Sequence, residues 1–96
     1  MYARLATVAV VPGSRPTMEA IAEQLAPIYR GQKGFKGITF IFDDVGSTYG
    51  SLTLWETRED AEAAQLTGGA RGQRATAAIA TGPTRVQIFE VYELQG

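Results

Sequence analysis

Few residues in this chain have side chains suited to chemistry, and several stand together. Ser51-Leu52-Thr53-Leu54-Trp55 alternates polar and apolar, so Ser51, Thr53 and Trp55 share one face of a strand. An indole N–H beside two hydroxyls is an uncommon set for a dry core, where every polar atom needs a partner. It suits a cavity wall, with a ring to stack on a flat ligand and hydroxyls to fix its oxygens. The competing readings are a core plug for Trp55 and a polar position at a subunit seam for Ser51. Tyr29 falls on the apolar stripe of a helix, as a core aromatic with its hydroxyl at the rim, or as a pocket wall or proton relay. Arg74, with Arg71 as the weaker alternative, is either a solvated helix residue or, turned inward, a holder of an anionic or enolate oxygen. Arg4 on the first strand is open in the same way. Tyr49 reads as packing at the sheet edge.

What is missing narrows the chemistry. The 96 residues contain no cysteine, histidine or asparagine. That removes a thiolate nucleophile, the best proton carrier near neutral pH and the usual soft metal ligands. No cofactor-binding or metal-binding residues are expected. No carboxylate pair stands out: Asp43 and Asp44 read as turn residues, and Arg58-Glu59-Asp60-Glu62 as a solvated helix face. Glu90 is either buried or paired across a subunit contact. Gly68-Gly69-Ala70-Arg71-Gly72 lacks the strand-to-helix frame and the lysine of a phosphate loop. Net charge is −1, and no basic run is dense enough to track nucleic acid. The apolar run Leu5–Val11 is too short for a secretory leader and is cut off by Pro12. No stretch approaches the ~20 apolar residues that span a bilayer. A cytoplasmic protein that binds neither nucleic acid nor membrane is the expectation.

The elements that must hold these residues follow from periodicity. Met1–Val11 reads as a strand closed by Pro12-Gly13. Ser14 can cap a helix with Pro16 in its first turn, and Met18, Ile21, Ala22, Leu25 and Ile28 or Tyr29 form its apolar stripe. Pro27 should bend or fray the last turn. Gly37–Asp44 and Tyr49–Glu56 form a hairpin about the Asp43–Ser47 turn. Thr57 and Asp60 form a capping pair for a second helix, interrupted at Gly68-Gly69 and resumed over Ala70–Ala80. Gly82-Pro83 ends it, and Thr84–Glu93 is the last strand.

The order βαββαβ over a single domain, residues 1–96, belongs to the α+β class. It implies a ferredoxin-like, four-stranded antiparallel sheet with helices on one face. With Phe42 opposite Gly50, Ile38, Phe40 and Phe42 join Leu52 and Leu54 on one apolar face. Thr39 and Ile41 then join Ser51, Thr53 and Trp55 on the other, making Thr39, Ile41 and Thr53 candidate substrate-binding residues. Both sheet faces carry apolar residues and two helices cover only one. A homodimer packed sheet to sheet is therefore expected.

"GFKGITFIFDD", "LTLWETREDAEAA" and "VQIFEVYE" together resemble the antibiotic biosynthesis monooxygenase family, whose protomers pair into dimeric α/β barrels. The resemblance covers nearly the whole chain. It implies oxidation of a small quinol- or anthrone-like aromatic by molecular oxygen without cofactor, through a stabilised carbanion or phenolate. The family's third-strand tryptophan is matched by Trp55, but its asparagine position holds Ser51. A helix-borne tyrosine falls near Ala61, which has no hydroxyl, and the family's late arginine is matched by Arg74. The catalytic set so implied has Trp55 stacking on substrate, Ser51 and Arg74 stabilising the oxyanion and Tyr29 moving protons. The haem-degrading branch is disfavoured, since its iron-ligating histidine is missing and Ala64 stands near its tryptophan position. The alternative is a non-catalytic small-molecule-binding or structural homodimer of the same fold.

Overall fold

The computed structural model describes residues 1–95. Its elements are β1 (Tyr2–Ala9), α1 (Arg15–Arg30), β2 (Phe35–Asp43), β3 (Thr48–Trp55), α2 (Arg58–Ala63), a 3₁₀ turn (Ala64–Leu66), α3 (Gly68–Thr76) and β4 (Arg85–Glu90). The strands make one antiparallel sheet in the order β2-β3-β1-β4, the ferredoxin-like α+β arrangement. No helix among the described residues is long and apolar enough to cross a membrane.

α1 buries Met18, Ile21, Leu25 and Tyr29 against the sheet, the stripe that its spacing predicts. It runs through Pro27 to Arg30 instead of fraying there. Ser14 occupies the N-cap position, but its hydroxyl donates to the Val11 carbonyl at 2.6 Å and leaves the helix uncapped. Thr57 does cap α2, its Oγ1 accepting from the Asp60 N–H at 3.1 Å. Such a cap contributes about 1 kcal/mol. Asp60 itself is buried, not part of a solvated face. β1 stops at Ala9, with Val10 bridging to Ala80. β4 ends at Glu90 rather than Glu93, opposite Tyr2 at the start of β1, with one further bond from the Val91 N–H to the Met1 carbonyl at 2.9 Å.

The hairpin register differs by one residue from the expected one. Asp43 pairs with Thr48, Phe42 with Tyr49, Phe40 with Ser51 and Ile38 with Thr53. The turn decides this: Asp43 Oδ1 accepts from the Gly46 N–H at 3.0 Å, and Ser47 takes a φ of 51°. A one-residue slip moves every side chain to the other face. Ile38, Phe40 and Phe42 therefore lie with Ser51, Thr53 and Trp55 beneath the helices. Thr39 and Ile41 lie on the helix-free face with Leu52 and Leu54, and Ile41 and Phe89 are large apolar residues left exposed there.

Gly68-Gly69 opens α3 instead of breaking a helix, and the break falls at Thr67. Packing explains why both positions are glycine. A Cβ on Gly68 would run into the Tyr29 ring, and one on Gly69 would lie 2.6 Å from Arg4 Nη2.

Candidate functional site

The helix-covered face of the sheet has two ends. Around Trp55 the packing is solid. The indole is fully buried and meets Tyr29 edge-on at 6.3 Å and Phe35 at 5.9 Å. Its Nε1–H donates to Thr53 Oγ1 at 2.8 Å, and that hydroxyl donates to the Arg4 carbonyl at 3.3 Å. Both polar groups are thus satisfied inside the core. Trp55 is the core plug, not a pocket wall, and Thr53 is its hydrogen-bond partner rather than a substrate contact.

At the other end the same face forms a half-open cavity of about 60 Å³. Its walls are apolar: Met18, Ile21 and Leu25 from α1, Phe40 and Phe42 from β2, and Ala6 and Val8 from β1. Gly69, Gly72, Gln73 and Thr76 of α3 close it. The glycines create the space, since a side chain at Gly72 would reach Leu25. Ser51 lines the cavity and its hydroxyl has no protein partner among the described residues. The Thr76 hydroxyl donates to the Gly72 carbonyl at 2.9 Å and is occupied by its own helix.

Tyr49 also lines the cavity rather than packing at the sheet edge. Its hydroxyl donates to Asp44 Oδ1 at 2.5 Å, and Arg15 reaches the same carboxylate at 2.9 Å. The bond to Asp44 raises the Tyr49 hydroxyl above its ordinary range. The same bond, followed by Arg15, lowers the Asp44 carboxyl.

Arg4 is the residue that the sequence left open and the structure makes prominent. Its side chain is 1% exposed on the helix-covered face. Nη2 donates to Gln65 Oε1 at 2.5 Å and Nη1 to the Tyr29 hydroxyl at 3.4 Å, while Nε has no partner. No carboxylate among the described residues pairs with it. Gln65 Nε2 in turn donates to Gln73 Oε1 at 3.1 Å, linking the guanidinium to a cavity wall.

The expected site residues therefore separate. Ser51 lines the cavity, and Tyr29 is buried behind it with its hydroxyl inside the core rather than at the rim. Trp55 and Thr53 are sealed. Arg74 and Arg71 are exposed on α3, and Thr39 and Ile41 face away. Two signals could have found the missed residues. Gly68-Gly69 marks close approach by two large side chains, and Arg4 stands at an inward position of a strand. Among the described residues no group of acidic side chains is placed to hold a metal.

No protein-family model and no curated protein matches the sequence. Solved structures match it over nearly the whole chain. SnoaB, a cofactor-independent oxygenase from Streptomyces nogalater, is similar at 17% identity and a TM-score of 0.75, covering 97% of this chain and 94% of its own. A proposed antibiotic biosynthesis monooxygenase from Bordetella bronchiseptica gives 17% and 0.74, covering 96% and 97%. The fold is that of the antibiotic biosynthesis monooxygenases. NE2512, a protein of unknown function from Nitrosomonas europaea, has it too, at 14% identity and a TM-score of 0.82, with coverage of 98% and 91%. In this chain the cavity lies between the sheet and the helices.

Proposed function

We propose that the protein is a cofactor-independent monooxygenase of this family that oxidises a small quinol- or anthrone-like aromatic in the Ser51 cavity. The observation that carries the reading is an apolar, aromatic-walled cavity with an unpartnered hydroxyl, set in a fold shared with a cofactor-independent oxygenase. For an anthrone the balance is R₂CH₂ + O₂ → R₂C=O + H₂O. The C–H proton leaves, the carbanion's electron pair passes to dioxygen, one oxygen remains as the new carbonyl and the other departs as water. The Ser51 hydroxyl donates to the developing oxyanion, an interaction worth a few kcal/mol in a dry site. No base lines the cavity, so the C–H proton passes to solvent water, the substrate's own acidity making its loss feasible.

The cavity volume limits what enters. A cavity of about 150 Å³ accepts benzene, so a ring enters this half-open one only in part unless its walls move apart. Oxygen uptake with anthrone, in the wild-type chain and in Ser51→Ala, tests the proposal. A tenfold or larger loss in Ser51→Ala is expected, and no uptake by wild type with anthrones or reduced quinones overturns it.

The second reading is a binding dimer without turnover. It is favoured by Trp55 lying sealed in the core and Arg74 lying in solvent, which removes two of the implied catalytic groups. Ligand-induced thermal stabilisation without oxygen uptake is its signature. Under either reading the protein pairs with a second copy through the helix-free sheet face, where Leu5, Leu52 and Leu54 stand with exposed Ile41 and Phe89. Sedimentation at micromolar concentration tests this, and a monomer there overturns it.

A further inference from the structure

We propose that Arg4 and the N-terminal turn of α3 form the anion-binding end of the cavity, so that the ligand carries an anionic oxygen: a carboxylate, phenolate or enolate on a small aromatic. The inference rests on the cavity being the ligand site.

Arg4 is almost wholly buried, yet it has no carboxylate partner among the described residues and its Nε is unsatisfied. Buried charges in proteins are paired or hold a ligand, because an uncompensated one is strongly disfavoured. Its two neutral partners, Tyr29 and Gln65, leave the charge itself unbalanced.

The surroundings add to the positive potential. The guanidinium lies against Gly69, in the first turn of the nine-residue α3. Free backbone N–H groups and the positive end of the helix dipole gather there, an arrangement that favours anions. Gly69 and Ser51 both line the cavity, and Ala6, next to Arg4 on its own face of β1, lines it as well. Arg4 and Gln65 do not themselves line the cavity, but Gln65 bonds both Arg4 and the cavity-lining Gln73. A ligand anion that displaces the Gln65 amide takes over its bond to Nη2 and offers the charge that the amide lacks. A guanidinium also accepts a two-oxygen anion through parallel N–H bonds.

The helix-free face does not provide the missing charge. Arg4 points to the other side of the sheet, among Tyr29, Gln65 and Gly69. A second copy on the helix-free face lies across the sheet from it.

Benzoate and benzamide test the idea, having the same shape and different charge. Each is titrated into the full chain while backbone amides and the Arg4 Nε–H are followed by NMR. Benzoate is expected to bind at least tenfold more tightly, shifting Gly69, Ser51 and the Arg4 Nε–H. Arg4→Met should lose that preference and unfold at the same temperature as wild type or higher, since an uncompensated buried charge has been removed. Arg4→Lys should keep part of the preference. Gly69→Ala, which displaces the guanidinium, supplies a second variant should Arg4→Met not fold. Equal affinities, an unmoved Arg4 Nε–H, no binding of either probe, or a preference that survives Arg4→Met overturns the assignment. Oxygen uptake without a benzoate preference defeats the role of Arg4 and leaves the oxygenase reading standing. Benzoate preference without oxygen uptake supports the role of Arg4 and defeats the oxygenase.

Discussion

Under the helices, the Trp55 end and the Tyr49 end of the sheet are built from the same materials and reach opposite results. At the Trp55 end, Phe35 and Tyr29 close around the indole, and α3 offers Gly68 so that the Tyr29 ring can lie flush. At the Tyr49 end, α3 offers Gly69 and Gly72, and the space between Leu25 and Phe40 stays open. Glycine on α3 thus serves two purposes. Filled by a neighbour it permits dense packing, and left unfilled it makes a cavity.

Trp55→Ala gives the widest separation between the two ends. It should destabilise by about 3–5 kcal/mol, as large-to-small changes in a sealed core do. Chemical denaturation measures this, and a loss under about 1 kcal/mol would make Trp55 a cavity wall after all. Gly68→Ala comes next. Its methyl collides with Tyr29, and overpacking of this kind costs about 1–3 kcal/mol. Gly72→Ala should act in the opposite direction. Its Cβ meets only the mobile end of Leu25, at 3.3 Å, so the gain in helix propensity wins by roughly 0.5–1 kcal/mol. The same methyl narrows the cavity, so benzoate binding should weaken as the melting temperature rises. A Gly72→Ala chain that is less stable than wild type would mean the cavity is not spare volume.

The smallest effect is the dependence on pH at the Tyr49 end. Asp44 titrates below its ordinary value near 3.8 when folded, chiefly through the Tyr49 hydroxyl. Its contribution is therefore complete above that value and is lost as pH falls from there through the lower folded value. Tyr49→Phe should flatten the acid limb of a stability–pH curve, and an unchanged limb would show that the bond does not persist in solution.

Much of the framework was legible in local patterns. The order of elements, the α1 stripe through Met18, Ile21, Leu25 and Tyr29, and the Thr57 cap all rest on contacts between residues close in the chain. The site was legible only in part. Ser51 was found because alternation puts it inward, but alternation could not say which β2 residues would join it. Thr39 and Ile41 were placed with it by a register one residue out, which the Asp43–Ser47 turn sets.

The sequence alone determined that this chain makes a βαββαβ sheet with helices on one face. It also determined that any chemistry must proceed without thiol or imidazole. Periodicity and composition are local properties, and they suffice for that. Tertiary structure alone decided that Trp55 is sealed, that Arg4 is buried without a counter-charge and that the cavity lies beside Ser51. Each depends on how α3 packs, and that packing is set by glycines at positions 68, 69 and 72 meeting Tyr29, Arg4 and Leu25, side chains distant in the chain.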